Sequence, residues 1–366
     1  MSRPRLRLLH ETNPQKYFPA LYLLAERGAV ELVGAHRYSV AKEWLRAGLI
    51  DKTPVAQRTK NALADLWFRL TAGRVAGEVI VIGFAPWDWR LLVYRHLARR
   101  NRILYHTSWH DWRAGQTPRQ PWPGVVRAAM MRRWRAFLRD PNVRIIAVTP
   151  AVQASLAREM GVAATVVPHA VPEVFFAAGT ARAAGRPEAG SGLRLLFVGE
   201  VSRKKGILTL LEMMPRLAAW GVSLTVVGDG PLAAEVARAG AGVRALGRIS
   251  DRAELARIMA GHDVLVLPSQ RSEGWEELFG IVIIEALAAG MAVLCSDHIG
   301  PRGMLAPAGG AGLFDQEDNA GLEAEIARLA QDRAALESLR AAQVPLAESY
   351  SAISVAQQWR AEIERD

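Results

Sequence analysis

Short apolar runs alternate with helix-period stretches along most of this chain. Arg5–His10 reads as a first strand, followed by a loop at Glu11–Pro19 and a helix from Ala20 to Arg27. Val30–Gly34 is a second strand, and residues 41–72 are mostly helical in pattern. Glu78–Gly83 is an apolar strand that runs into Phe84-Ala85-Pro86-Trp87-Asp88-Trp89, before a helix at Arg90–Arg100. Arg102–Ser108 is another strand, ending in Trp109-His110-Asp111-Trp112. Val143–Val148 is a strand, Pro150–Met160 a helix and Val162–Val167 a short strand before Pro168-His169. Alternation of this kind predicts an α/β protein with a parallel, doubly wound sheet. Ligands of such sheets bind at the carboxyl ends of the strands, where both polar-aromatic clusters would lie.

Residues Ala177–Gly192 are small, carry Gly and Pro and lack hydrophobic periodicity, so they predict a linker. Beyond it the pattern restarts. Strands are expected at Leu193–Gly199, Ser223–Gly228, Val243–Leu246, Val264–Leu267 and Ala292–Cys295. Helices are expected at Gly206–Trp220, Leu232–Ala239, Arg252–Ala260, 280–289 and beyond 319. This is a second doubly wound domain. The expected division is 1–176, a linker at 177–192, and 193–350, with a last helix from about 351 returning to the first domain.

The second half is organised around Ser272–Gly290, which holds Glu277 and Glu285 separated by seven residues. Eight helical positions span roughly 12 Å and bring the two carboxylates within about 80° of each other. One elongated polar ligand could touch both. The N–H groups of Phe279, Gly280 and Ile281 would stand at the helix N-terminus, where the dipole favours negative charge. The alternative is a solvated Glu277 and a Glu285 on an exposed helix face. Glu285 argues against that, because Ile281, Ile283, Ile284, Ala286 and Leu287 surround it, and a carboxylate in a buried helix needs a partner.

Composition sharpens the picture. Half of the 366 residues are hydrophobic and mean hydropathy is +0.05, as for a core-forming globular protein. The lone cysteine, Cys295, rules out a disulfide framework within the chain and reads as a small buried hydrophobe. No apolar run approaches the roughly 20 residues of a membrane span. The basic start MSRPRLRLLH is cut short by Glu11, Asn13 and Pro14, so it does not read as a signal sequence, and a cytoplasmic protein is expected.

The net charge of +10 is unevenly placed: residues 1–190 carry 29 of the 46 Lys and Arg but 13 of the 36 acidic residues, and eight of the eleven Trp. Two different partners are implied, the basic half facing lipid headgroups, an anionic acceptor or nucleic acid. Within that half, Pro121–Asp140 intersperses Val125, Val126, Ala129, Met130, Trp134, Phe137 and Leu138 with Arg127, Arg132, Arg133, Arg135 and Arg139. This composition suits an interfacial membrane helix. The expectation adopted is a surface helix packing its apolar face on the sheet, with Arg- and Trp-rich 112–139 free to touch an anionic membrane.

Three cations, Arg203, Lys204 and Lys205, sit in a strand–loop–helix corner between Gly199 and Gly206, a natural diphosphate site. Lys204 and Lys205 are the only lysines after residue 60. Gly228-Asp229-Gly230-Pro231 closes the next strand, a turn for which glycine is routine. His110 follows a strand beside Asp111 and Trp residues; His106, inside the strand, is the weaker candidate, and His169, His262 and His298 stand outside any cluster. No His, Cys and carboxylate spacing matches a metal site, so neither metal nor cofactor is expected.

Taken in order, VGEVSRKKG, VVGDGP, DVLVLPS, EELFGIVIIEALAAG and SDHIGP, over residues 193–303, resemble the donor-binding half of retaining, GT-B-type glycosyltransferases of family 4, also called group 1. In the first half only the layout and VTPAVQASLAREMGV…VVPHAVPEVF are similar. The resemblance implies two Rossmann-like domains facing a cleft, and retaining, metal-independent transfer of a hexose from a nucleotide-diphosphate sugar. The expected acceptor is a glycan or lipid-linked molecule of cell-surface polysaccharide, lipopolysaccharide or glycolipid synthesis, and the basic first half suggests a lipid-linked or anionic one at the inner face of the cell membrane. It implies that Glu285 binds the ribose, Glu277 the sugar hydroxyls near the reacting carbon, and Arg203 and Lys205 the diphosphate, with His110 as the cleft histidine. Glu200 stands where the family has Arg, HETNPQKYFP replaces its glycine-rich first loop, and His169-Ala170 replaces its Asn-Gly. The other readings are a nucleotide-sugar epimerase or hydrolase on the same scaffold, and a non-catalytic basic protein binding membrane or nucleic acid. No recognised nucleic-acid module is present.

Overall fold

A computed structural model describes residues 3–11, 13–49, 53–113, 124–184, 192–240, 242–272 and 275–365. The chain forms two units, Met1–Ala170 with Ala352–Asp366, and Val171–Ser351.

The first unit holds a parallel sheet of β1 (Arg5–His10), β2 (Glu31–Arg37), β3 (Val79–Ile82), β4 (Arg102–Thr107), β5 (Val143–Ala147) and β6 (Thr165–Val166), in the order β2-β1-β3-β4-β5-β6. Period-two alternation sends side chains to opposite faces. Ile80, Ile82, Ile103, Tyr105 and Ile145 pack in one core with Met130, Trp134, Phe137 and Leu138 of the helix Gly124–Leu138. Leu6, Leu8, Val79, Val81, Leu104 and Ile146 pack in the other, with the helix Pro19–Glu26 and with Val355, Ala356, Trp359 and Ile363 of the last helix, Ala352–Glu364. With both faces covered, all four residues of β3 are buried, as parallel sheets require.

The basic helix therefore uses its apolar stripe internally. Trp134 is fully buried and meets Trp87, Tyr105 and Trp112 edge-on, while Arg127, Arg132, Arg133, Arg135 and Arg139 are exposed. The stretch 41–72 is divided into two helices, Val40–Leu49 and Val55–Thr71.

The second unit holds β7 (Arg194–Val198), β8 (Ser223–Val227), β9 (Val243–Gly247), β10 (Val264–Leu267), β11 (Ala292–Ser296) and β12 (Leu313–Phe314), all parallel, in the order β12-β11-β10-β7-β8-β9. Cys295 lies on β11 with its thiol buried, which pushes its pKa up. At the amino end of β10, Asp263 is almost fully buried and is bonded by Arg182, Arg194 and Arg340 at 3.0–3.3 Å. Burial opposes its ionisation, but the arginines prevail and hold its carboxyl well below the usual range.

The linker expected at 177–192 is corrected by this unit. Residues 173–184 form the helix Glu173–Ala184, packed on the helices Arg252–Ala260 and Ile281–Ala288. The small residues mark a close contact rather than flexibility: a Cβ on Gly179 would lie 2.3 Å from the Ala288 carbonyl oxygen. Arg182 anchors the helix end to Asp263 at 3.0 Å. The units divide at Ala170/Val171, not after 176. Residues 185–191 of the expected linker lie outside the described residues.

Candidate functional site

In the second unit, β8 and β9 lie on one side of β7, and β11 and β12 lie beyond β10 on the other. The loops after β7 and β10 therefore depart in opposite directions, the arrangement that opens a ligand crevice at the carboxyl ends of an α/β sheet. The glycines of these loops are backbone contacts. A Cβ on Gly228 would lie 1.8 Å from the Gly199 carbonyl oxygen, and one on Gly230 would lie 2.5 Å from that of Val201. Gly206, at φ +72°, closes the short 3₁₀ turn Arg203–Lys205 against the β10 loop, where a Cβ would meet the Pro268 carbonyl oxygen at 1.7 Å. The Gln270 N–H donates to the Lys204 carbonyl at 2.8 Å, joining the two loops again.

Across this junction Lys205 Nζ forms an ion pair with the Glu277 carboxylate, and Ser269 Oγ donates to the same oxygen at 3.5 Å. Lys205 also stands 5.0 Å from the centre of the Trp275 ring, a cation–π contact. Lys204 is turned toward Glu200 at 2.7 Å. Arg203 is exposed and forms no ion pair among the described residues. The residues expected at the diphosphate and at the sugar, Lys205 and Glu277, are thus direct neighbours.

His298, read from sequence as isolated, positions Glu277. Its Nδ1 accepts the Glu277 N–H at 3.0 Å, so the proton resides on Nε2, which donates to Gln316 Oε1 at 3.0 Å. The ring is fully buried, and burial lowers its pKa, which keeps it in this neutral tautomer. Gly300 N–H donates to the Glu277 carbonyl at 3.0 Å, and a Cβ on Gly300 would lie 2.7 Å from Phe279 N. The Leu278–Phe279 peptide is therefore seated directly on the chain that follows β11.

Gly280, in the left-handed region at φ +65°, begins the helix Ile281–Ala288 with no side-chain cap, so nothing from the side chains competes for the first-turn N–H groups. Glu285 lies one turn further in, with its side chain 3% exposed and ion-paired to Arg252. The Arg252 guanidinium lies 4.7 Å from the Phe175 ring centre. A buried carboxylate does have its partner, but nothing local in the sequence marks Arg252, which comes from the start of another helix.

In the first unit His110 stands on the loop after β4, its ring 6.1 Å from that of Trp109. Asp111 accepts from Arg113 at 2.6 and 3.0 Å, and these bonds hold its carboxyl below the usual range. A cavity of about 230 Å³ opens at the carboxyl ends of β1, β3 and β4. It is lined by His10, Tyr17, Tyr38, His106, Trp109 and His169, and His110 is not on its wall. The rings of His106 and His169 lie 5.4 Å apart. Burial lowers the pKa of both, well below the ordinary range for His106 and to about 4 for His169. His169 thus has a cluster around it, and His106 rather than His110 faces the cavity. His262, also read as isolated, bonds Thr225 Oγ1 at 2.8 Å. Among the described residues no three His, Cys, Asp or Glu side chains are grouped to hold a metal ion, and no helix is long and apolar enough to cross a membrane.

Residues 192–332 match the family model described as glycosyl transferases group 1. Over 173 residues the chain is 34% identical to the phosphatidyl-myo-inositol mannosyltransferase of Mycobacterium tuberculosis, covering 45% of this chain and 44% of that protein. It is 33% identical over 162 residues to glycogen synthase of the same organism, covering 42% and 37%. The chain thus spans less than half the length of the curated relatives it matches. Among solved structures, HepE of Anabaena in complex with UDP aligns with a TM-score of 0.67 at 16% identity, covering 98% of this chain and 99% of that one. WaaG, a glycosyltransferase involved in lipopolysaccharide biosynthesis, aligns with a TM-score of 0.64 at 14% identity, covering 99% and 100%. Residues 192–332 of the second unit are thus similar in sequence to glycosyl transferases group 1, and the chain as a whole shares the GT-B fold of these solved structures.

Proposed function

We propose that this chain is a retaining hexosyltransferase that moves a sugar from a nucleotide-diphosphate donor to a glycan or lipid-linked acceptor of cell-surface polysaccharide, lipopolysaccharide or glycolipid synthesis. The observation that carries this reading is the junction of Lys205 and Glu277 at the carboxyl ends of β7 and β10, with the buried Glu285 one helical turn beyond Gly280.

On this reading Arg203 and Lys205 take the diphosphate, with Lys204 beside them, and the first turn of the helix Ile281–Ala288 adds its N–H groups. The diphosphate would draw Lys205 from Glu277 and release that carboxylate to hydrogen-bond the sugar hydroxyls. Glu285 would accept from the ribose hydroxyls. The C1–O bond to phosphate breaks as positive charge develops at C1. Lys205, Arg203 and the helix N-terminus stabilise the negative charge on the departing diphosphate without a metal. The acceptor oxygen bonds to C1 on the same face, and its proton passes to the released phosphate. His298 acts through the Glu277 backbone. For the first unit we propose the acceptor, with His106 and its cavity a better candidate for hydroxyl contact than His110.

A lipid-linked acceptor draws support from the relative named a phosphatidyl-myo-inositol mannosyltransferase and from the excess of Arg in residues 1–190. The exposed arginines of the helix Gly124–Leu138 suit an anionic membrane surface, at the cytoplasmic face. Turnover of UDP-, GDP- and ADP-sugars by Lys205→Ala and Glu285→Ala, with product analysis with and without acceptor, tests the proposal. Losses of about 100-fold are expected in both. Wild-type rates in both, or an epimerised or hydrolysed sugar regardless of acceptor, would overturn it.

A further inference from the structure

The helix Val55–Thr71 turns its apolar stripe away from the unit it belongs to. Its inward face is set by Asp65 and Phe68, both buried: Asp65 pairs with Arg37 at 2.9 Å, and Phe68 stacks on His36 with ring centres 4.1 Å apart. On the outer side Leu63, Leu66, Trp67 and Leu70 are 61, 45, 67 and 82% exposed. Their spacing places them on one stripe about 100° wide, roughly opposite Asp65 and Phe68. The adjoining helix Val40–Leu49 exposes Leu45 and Leu49, one turn apart, and Val55 is exposed at the start of the helix Val55–Thr71. Isolated exposed leucines need no explanation, but a contiguous stripe with a tryptophan at its centre does.

Charge selects the occupant. Among residues 53–77 the cations are Arg58, Lys60, Arg69 and Arg74, and the only acid is Asp65, which is buried and paired. Arg58 stacks on Trp44 at 3.9 Å and Arg69 bonds the Tyr38 carbonyl, whereas Lys60 and Arg74 are exposed, Lys60 at the border of the stripe. A second copy docked on this face would set cation against cation with no carboxylate to pair. A bilayer of anionic lipid offers acyl chains to the leucines, the interfacial layer to Trp67 and phosphates to Lys60 and Arg74. We propose that the face built from Leu63, Leu66, Trp67 and Leu70, with Leu45 and Leu49, docks this chain on an anionic lipid bilayer. This places the apolar contact at 45–70 rather than on the helix Gly124–Leu138, whose Met130, Trp134, Phe137 and Leu138 are buried in its own unit. The proposal stands independently of the reaction assigned above.

The test is sedimentation of the full chain with vesicles of phosphatidylcholine mixed with phosphatidylglycerol, and of phosphatidylcholine alone. Wild type is expected to bind the mixed vesicles, more weakly in high salt, and the double variant Leu66→Gln/Trp67→Gln to lose at least tenfold in partitioning. Both positions are exposed, so circular dichroism and Tm should be unchanged, and Leu63→Gln supplies a second, independent loss. Arg132→Gln/Arg133→Gln should keep most of the binding. The proposal is overturned if wild type stays in the supernatant with mixed vesicles, or if the stripe variants bind as wild type does. It also fails if ultracentrifugation of wild type shows a dimer that Leu66→Gln/Trp67→Gln dissolves.

Discussion

Replacing Glu285 by glutamine keeps the shape of the side chain and removes its charge, which separates binding from folding. The carboxylate is almost fully buried, but its partner Arg252 is 43% exposed, so solvent screens the pair. Its contribution to stability belongs near the surface range, about 0.5–1 kcal/mol. The new amide would turn a buried donor toward the guanidinium, costing about 1 kcal/mol more. Together these lower Tm by about 3–7 °C for a unit of this size. Binding should suffer more. A carboxylate accepting from two ribose hydroxyls makes charge-assisted bonds, each about 1–1.5 kcal/mol stronger than those of a neutral amide. Two such bonds correspond to a nucleotide affinity about 30- to 150-fold weaker. Calorimetric titration of Glu285→Gln with nucleoside diphosphate, beside scanning calorimetry of the same protein, reads both quantities. A Kd within threefold of wild type would refute the ribose assignment. A collapse of Tm far beyond the expected range would show that Glu285 is there for the fold.

Gly206→Ala should lower Tm and reduce turnover at least tenfold, because a left-handed alanine costs about 1–2 kcal/mol and its Cβ would force the β7 and β10 loops apart from a 1.7 Å contact; wild-type turnover would show that the junction is not part of the site. Asp263→Asn leaves Arg182, Arg194 and Arg340 around a neutral group and is expected to cost about 3–5 kcal/mol, read by urea unfolding, with a loss under about 1 kcal/mol counting against the network. Stability should also fall with acid. His106 and His169 have folded pKa values below the ordinary 6.5, about 4 for His169, so the unfolded chain binds more protons between those limits and Tm should drop as pH falls from about 6.5 to about 4. His169→Gln should flatten that slope; an unchanged slope would remove the cluster from the account.

Much of the fold was legible because short continuous apolar runs such as Ile103–Tyr105 and Val79–Ile82 are local signals of sheets covered on both faces. What is not local was missed. Ala177–Ala184 read as a linker because small residues look alike whether they are free or pressed against a neighbouring helix, and only the carbonyl of Ala288 beside Gly179 distinguishes the two. The histidine cluster comes from the ends of β1 and β4 and the segment after β6, and no spacing announces it. His298 lay inside a stretch already singled out, yet its role depends on Glu277 and Gln316, 21 and 18 positions away. The helical period of Val55–Thr71 was visible, but its outward face was not, because Arg37 draws the side of Asp65 inward. Glu277, Glu285 and Lys205 were legible because a carboxylate in an apolar helix and lysines in an Arg-dominated chain are anomalies that a sequence displays directly.

On the function proposed above, a nucleotide sugar lies along the carboxyl ends of β7 and β10 in the second unit. The most direct test is a crystal structure of the full chain with the UDP-, GDP- or ADP-sugar that most raises its melting temperature. The diphosphate is expected within hydrogen-bond reach of Arg203, Lys205 and the first turn of the helix Ile281–Ala288, with the ribose on Glu285 and the sugar on Glu277. A nucleotide bound elsewhere, with Lys205 still paired to Glu277 and Glu285 touching no ribose, would contradict it.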